Sequence, residues 1–347
     1  MAHDFMRTTL SRRISVPILI GGAILCLNLC ACSGTKPESS ETKTRNSIVA
    51  TTAMVADAVR TVAGDRAEVT GLINSGVDPH LYKATRRDIQ RIMDADAMFY
   101  SGLLLEGKMT DTLIRAASSG KPVFAVTELV DETTLLEPEG FNGHYDPHLW
   151  MDPRAWGGTV AVVRDRLIGF DPDGESNFRA NAKAYEKAIM ELDAYGESVL
   201  ATVPEQGRVL VTAHDAFNYF GRRYGFEVVG IQGISTESEA GVRDIERLVD
   251  LLVERNIGAV FIESTVSSRN IGALIAGAKA RGHDVKIGGE LFSDAMGESG
   301  TYEGTYIGML DHNITTVVRA LGGTAPETGM HGKLKAQKPN AQKQGSG

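Results

Sequence analysis

The sequence predicts an α/β fold of two lobes, each with a four-stranded parallel sheet flanked by helices, joined by one long rigid helix. From residue 47 onward, short runs rich in β-branched and aromatic residues alternate with helical patterns. This alternation is typical of parallel α/β architecture. The runs fall into two sets of four, and an uninterrupted helical stretch separates the two sets.

The eight candidate strands are short and largely apolar. The first set comprises residues 48–52, 68–73, 97–101 and 123–126, and the second comprises 209–212, 227–231, 259–263 and 285–288. One segment between strands carries apolar residues at positions i, i+3, i+4 and i+7, namely Ile245, Leu248, Val249 and Leu252. This stripe predicts an amphipathic helix that packs on a sheet.

The stretch between the two sets predicts the connecting helix. Residues 175–203 contain no proline and a single glycine, Gly196, and they are dense in Ala, Glu and Lys. A helix is a stiff connector, whereas a Gly/Ser linker would let the lobes move independently. We therefore expect a first lobe at residues 47–173, a linking helix at 174–203 and a second lobe at 204–322.

The N-terminus has the pattern of an export signal. Arg7, Arg12 and Arg13 precede an apolar run at 14–31, which predicts a signal peptide at 1–31. An uncleaved transmembrane anchor is the alternative, because the run is nearly long enough to cross a bilayer. The run ends in Ala31-Cys32, which resembles a bacterial lipobox and makes Cys32 the candidate lipidation site. The polar stretch 32–46 would then be a flexible tether that holds the protein at a bacterial membrane, periplasmic or surface-facing.

Composition limits the chemistry of the folded part. The three cysteines, Cys26, Cys30 and Cys32, all lie in or next to the leader, so a metal site in the lobes must use imidazole and carboxylate ligands. The net charge of −8 argues against nucleic acid as a partner. Residues 323–347 are rich in Gly, Pro, Gln and Lys and predict a disordered tail.

A pentapeptide of the form Asp-Pro-His-Leu-aromatic occurs twice, at residues 78–82 and 146–150. Proline fixes its own φ and restricts the preceding aspartate. The backbone of each turn therefore holds its histidine, His80 or His148, in place, and little conformational entropy remains to be lost when a ligand binds. Asp78 and Asp146 can each accept a backbone N–H or a proton from the imidazole. A pair of helix-capping turns with incidental histidines is the alternative, but the repetition favours two metal ligands.

Further candidate ligands follow strands of the second lobe. His214 comes directly after the strand at 209–212, and the crevice at the carboxyl ends of strands is where open α/β sheets bind ligands. Asp294 follows the strand at 285–288 and Glu263 ends the strand at 259–263, and strand position does not decide between them. His144 lies close enough to His148 in sequence to assist metal capture. Three imidazoles and one carboxylate suit zinc, and also manganese or iron(II), whereas calcium or magnesium would require oxygen ligands.

These segments are similar to those of the metal-binding lipoproteins of ABC importers in the TroA group, a family of metal solute-binding proteins. The resemblance runs from Ser47 to Leu321 and rests on residues 77–82, 146–150, 211–217, 261–264 and 289–294. It implies one metal ion between two lobes, with four ligands: His80, His148, His214 and Asp294. It thereby decides the open choice of carboxylate for Asp294 and places Glu263 beside the site.

The resemblance also implies a function: capture of zinc or manganese and delivery to the permease and ATPase subunits of an importer. We expect a monomer without enzymatic activity. Many zinc-dedicated relatives have a histidine-rich loop before the second ligand, but residues 131–145 contain only His144; many manganese-dedicated relatives have glutamate in place of His214. The three histidines favour zinc over manganese on ligand softness.

Two other functions fit parts of the sequence. A zinc-dependent hydrolase of the cell envelope would use the same ligands, but it needs a general base and an open coordination position. The sequence has no HExxH motif, and all four candidates are used as ligands. A surface adhesin would share only the lipid anchor, so metal capture remains the favoured function.

Overall fold

The computed structural model describes residues 45–139, 141 and 143–335. The predicted signal peptide, Cys32 and nearly all of the predicted tether lie outside these residues, as does the end of the tail from residue 336. Within the described part of the chain, every helix is too short or too polar to span a bilayer.

The first lobe contains a parallel sheet with helices on its faces. Its elements are β1 (Asn46–Ala50), α1 (Ala53–Ala63), β2 (Ala67–Gly71), α2 (Arg86–Asp94), β3 (Ala97–Tyr100), α3 (Thr110–Ser118) and β4 (Val123–Ala125). The strands pair in the order β2-β1-β3-β4, all parallel, as predicted. Parallel strands direct their carboxyl ends to one edge, so the loops after them meet there.

Two long helices follow the first sheet: α4 (Pro153–Phe170) and α5 (Glu175–Leu200). The carboxylate of Asp152 caps α4 by accepting the N–H groups of Arg154 and Ala155, and Pro153 occupies the first helical position, where its missing N–H costs nothing. The helix α5 lies within the predicted 174–203 and confirms the long helix between the lobes. The exact lobe boundaries stay predictions.

The second lobe repeats the alternation of strands and helices. Its elements are β5 (Val209–His214), α6 (Asn218–Tyr224), β6 (Glu227–Gln232), α7 (Val242–Glu254), β7 (Ala259–Glu263), α8 (Arg269–Ala280), β8 (Lys286–Leu291) and α9 (Tyr306–Ala320). The predicted apolar stripe lies on α7, where Leu248, Val249 and Leu252 are buried. The two lobes thus have the predicted α/β class, and α5 packs against α1, α4 and α9.

Strand pairing in the second lobe differs in detail from the predicted four-stranded sheet. Among the described residues, β5 pairs with β6 and β7 pairs with β8, both in parallel, as two separate ladders. Although β5 contacts β7, the N–H of His214 at the end of β5 is donated to the side chain of Glu263 on β7. At this position the N–H of His214 thus bonds a carboxylate of β7 instead of a backbone carbonyl of that strand.

The first part of the predicted disordered tail is packed. The N–H of Met330 lies 3.0 Å from both carboxylate oxygens of buried Asp311 on α9, and Leu334 is buried. Gly329 has a φ of +74°, and a side chain there would collide with the same carboxylate. Residues 323–335 thus fold back onto the second lobe, in contrast to the disorder that their composition predicts.

Candidate metal centre

Four buried side chains from different segments of the chain converge between the lobes. His80 follows β2, His148 precedes α4, His214 ends β5 and Asp294 follows β8. The exposed fraction of each is 2% or less, and one ligand atom from each lies within 4.8 Å of the others. The structure therefore brings together the four residues that the resemblance selects as ligands.

The carboxylate of Asp294 lies at the middle of this cluster. Its Oδ1 is 3.2 Å from Nε2 of His148, and its Oδ2 is 3.2 Å from Nε2 of His214 and 3.7 Å from Nε2 of His80. The Nε2 atoms of His80 and His148 are 3.4 Å apart. All three imidazoles thus direct the same ring nitrogen toward one point.

The cluster contains buried polar atoms without hydrogen-bond partners. Within the described residues, both carboxylate oxygens of Asp294 and the Nε2 of His214 are buried and make no contact with hydrogen-bond geometry. A buried polar group left in this state typically costs about 1–3 kcal/mol. A cation at the centre would satisfy these atoms, and three imidazoles with one carboxylate are a donor set that transition metals accept.

In the second pentapeptide, Asp146 holds both the backbone and the ring of His148. Its Oδ1 accepts the N–H of His148 at 2.9 Å and lies 2.7 Å from Nδ1 of the same residue. Its Oδ2 accepts a hydrogen bond from Asn218 at 3.2 Å. With Nδ1 bonded in this way, Nε2 is left free to face the cluster.

In the first pentapeptide, Asp78 holds only the backbone of its histidine. Its Oδ1 accepts the N–H of His80 at 2.8 Å, and its Oδ2 accepts the hydroxyl of Thr236 from the second lobe at 2.6 Å. The sequence allowed Asp78 to accept either a backbone N–H or a proton from the imidazole. In the structure it accepts the backbone N–H of His80.

Glu263 lies behind His214 instead of in the cluster. Its Oε1 accepts the backbone N–H of His214 at 2.9 Å, and its Oε2 contacts Nδ1 of that ring. Asp294, on the other side of the ring, is the carboxylate that faces the centre. The geometry therefore gives the two carboxylates different positions, which strand order alone had not distinguished.

The pKa shifts of the four groups follow from burial and mutual attraction. Burial lowers the pKa of His80 to about 3, although Asp294 opposes the shift. Burial also disfavours the charged form of His148, but Asp146 and Asp294 outweigh it and raise the pKa to about 9. His214 likewise has its pKa raised well above the usual value, because Asp294 and Glu263 overcome the effect of burial. For Asp294, burial favours the neutral form, yet His214 and His148 hold its pKa well below the usual value.

A comparison with known protein families decides the family. The family model described as "ZnuA: Zinc-uptake complex component A periplasmic" matches residues 48–320. The chain belongs to this family. The match spans both lobes and all four residues of the cluster, so the resemblance seen in the sequence is confirmed.

Two curated relatives are similar to this chain over most of their own length. The manganese-binding lipoprotein MntA of Bacillus subtilis is 48% identical over 79% of this chain and 89% of its own. The zinc-binding protein TroA of Treponema pallidum is 44% identical over 79% of this chain and 88% of its own. The solved structure of the periplasmic zinc-binding protein TroA from Treponema pallidum has a TM-score of 0.77, with 44% identity over 80% of this chain and 99% of that one. These likenesses confirm the predicted fold class.

Other histidines of this ZnuA-family chain lie apart from the cluster. His144 is exposed and its ring contacts Phe141. His283 and His312 each donate a ring N–H to a backbone carbonyl, of Ile257 and Glu290 respectively. Within the described residues, the cluster is the only group of three or more His, Cys, Asp or Glu side chains arranged to hold a metal.

Sequence reasoning missed the residues that support the site from the other lobe. Thr236 bonds Asp78, Asn218 bonds Asp146, and the indole N–H of Trp150 donates to the carbonyl of Ser293 at 2.8 Å. Thr236 and Asn218 are ordinary polar residues, and Trp150 belongs to the second pentapeptide. Only the fold brings each to its partner, so the sequence carries no local signal for these contacts.

Proposed function

We propose that this protein captures one zinc or manganese ion between its lobes and delivers it to an ABC importer. The ligands are His80, His148, His214 and Asp294. The observation that supports this most directly is the set of converging ring nitrogens around a buried carboxylate whose two oxygens have no hydrogen-bond partner. A divalent cation supplies the missing partner for these oxygens.

The same residues argue for binding without catalysis. Two of the carboxylates beside the cluster, Asp146 and Glu263, are already bonded to His148 and His214. They orient ligands, so they are not free to act as the general base that a zinc hydrolase requires. The protein is a carrier that works as a monomer with permease and ATPase subunits, and Cys32 anchors it to the outside of a bacterial membrane.

Zinc is the first choice of metal, and manganese is the second. The relatives TroA and MntA are named for zinc and manganese respectively, so family membership leaves both open. Three imidazoles with one carboxylate bind zinc more tightly than manganese, following the general order of affinities. Where both metals are offered at equal concentration, zinc should therefore occupy the site.

Elemental analysis of the purified protein tests this function. After exposure to an equimolar mixture of zinc and manganese and removal of loose metal, the wild-type protein should retain about one ion per chain, mostly zinc. His214→Ala should lose it, because the variant removes one ligand and leaves the charge of Glu263 without its partner. His144→Ala, which removes an exposed histidine outside the cluster, should retain the ion.

Two results would contradict the proposal. Undiminished metal content in His214→Ala would mean that the ion is held elsewhere in the chain. Turnover of ester or amide substrates that depends on the bound metal would instead favour the hydrolase.

A further inference from the structure

One group of contacts ties the two lobes together firmly. From α6, the hydroxyl of Tyr219 donates to the carbonyl of Asp146 at 2.9 Å, and Arg222 donates to the carbonyl of Thr134 at 2.8 Å. The buried indole of Trp150 bonds the carbonyl of Ser293, next to Asp294. These contacts fix His148 relative to the two ligands of the second lobe, His214 and Asp294.

A second group of contacts is much smaller and lies at the first pentapeptide. Among the described residues, the loop between β6 and α7, residues 233–241, reaches the first lobe through two bonds. The hydroxyl of Thr236 donates to Oδ2 of Asp78 at 2.6 Å, and Nζ of Lys108 lies 2.7 Å from Oε2 of Glu237. The side chains of the second pair are 37% and 42% exposed to solvent, so the pair contributes little by itself.

A surface cavity lies beside this loop. Its volume is about 230 Å³, and its lining includes Asp78, Thr236, Glu239, Thr265, Ser267 and one cationic side chain, Arg269. Most of these side chains offer oxygen atoms, which can replace water around a hydrated divalent cation. Asp78 belongs both to the cavity wall and to the turn that carries His80, so the cavity adjoins the turn of that histidine.

We propose that the metal enters through this cavity and that the β6–α7 loop is a latch across it, with Thr236 and Glu237 as the positioning residues that hold the latch against the first lobe. The inference rests on the proposed function. The cluster is buried, so a cation reaches it only when part of the structure opens. Release of two loop contacts is a smaller change than release of the contacts made by α6 and Trp150.

Loss of a latch contact should change the kinetics of metal binding in a different way from loss of a metal-ligating side chain. Neither bond of the latch involves an atom of the cluster, so both form equally well with and without the metal. Loss of the latch raises the open fraction of both forms by the same factor. The rate constants for metal association and dissociation then increase together, and each changes by a larger factor than the dissociation constant does.

Stopped-flow measurement of zinc association and dissociation on the full-length protein tests the latch. Thr236→Val should raise both rate constants about tenfold, as expected for loss of a hydrogen bond to a carboxylate. Thr236→Ser keeps the hydroxyl and should behave as wild type. Ser238→Ala is the matched control, since it removes an exposed hydroxyl of the same loop that makes no hydrogen bond to the described part of the first lobe.

The ion pair offers an independent test that does not depend on Thr236. Lys108→Glu and Glu237→Lys should each raise both rate constants by up to about fivefold, and the double variant should restore slow exchange because it re-forms the pair with reversed charges. A change in the dissociation constant with unchanged association, or unchanged rate constants in Thr236→Val and both charge variants, would overturn the latch. Failure of the wild-type protein to bind zinc would instead overturn the proposed function.

Discussion

The two copies of the Asp-Pro-His-Leu-aromatic pentapeptide have the same local chemistry but lie in different environments. In the second copy, Leu149 and Trp150 are completely buried. In the first copy, the side chain of Leu81 is 48% exposed and Tyr82 is only half-buried. A repeated sequence thus fixes the turn that presents a histidine, whereas the surrounding fold determines how firmly the turn is held.

The segments after the two copies explain the difference. At the end of the first copy, the hydroxyl of Tyr82 donates to Asp88, which also completes the capping box of α2 with Thr85, so the turn is tied to a helix on the surface. After the second copy, the chain enters a short 3-10 turn and α4, which packs on α5 in the main core. The first copy is therefore the more easily displaced of the two, which agrees with its position beside the proposed latch.

The largest expected contrast is between the two leucines. Leu149→Ala should reduce the free energy of unfolding by about 2–5 kcal/mol, because it opens a cavity in a fully buried environment. Leu81→Ala should change it by less than about 0.5 kcal/mol, since half of the side chain is already in water. Denaturant unfolding of the metal-free protein measures both, and equal losses would show that the two copies are equally buried in solution.

A smaller contrast is expected between the two aspartates. Asp146→Asn should weaken metal binding about 10- to 100-fold, because it removes the charged partner of the His148 ring. Asp78→Asn should weaken binding less, because Asp78 bonds the backbone of His80 and not its ring. Competition titration with a zinc chelator gives both dissociation constants. A larger loss for Asp78→Asn would mean that the first copy, despite its exposure, dominates affinity.

The sequence predicts well what is determined locally. The pentapeptide turns are visible because proline restricts them, and α5 is visible because 26 successive residues suit a helix. The fold class follows in the same way from the alternation of strand and helix patterns.

Contacts between distant segments could not be predicted from residue patterns. Thr236 and Asp78 are 158 positions apart, and no pattern in either segment indicates the other. The choice of Asp294 over Glu263 came from the family resemblance, because both residues lie at the ends of neighbouring strands. The packed segment 323–335 was mispredicted because composition does not reveal the bond between Met330 and Asp311.

The smallest expected effect is on the number of protons released when the metal binds, and it again distinguishes the two copies of the pentapeptide. In the metal-free protein at neutral pH, His80 is neutral because its pKa is lowered to about 3, whereas His148 is protonated because its pKa is raised to about 9. Metal binding should therefore release a proton from His148 but none from His80, and affinity should rise with pH as long as His148 and His214 are protonated in the metal-free protein.

Calorimetric titration with zinc in buffers of different ionisation enthalpy measures the number of protons released. The wild-type protein should release about two at neutral pH, one each from His148 and His214, because the pKa of both is raised. Asp146→Asn removes the charge that raises the pKa of His148, so this variant should release fewer protons, whereas Asp78→Asn should release the same number as wild type. Equal release from all three proteins would show that Asp146 does not set the charge of His148, and the difference between the two copies would then be one of burial alone.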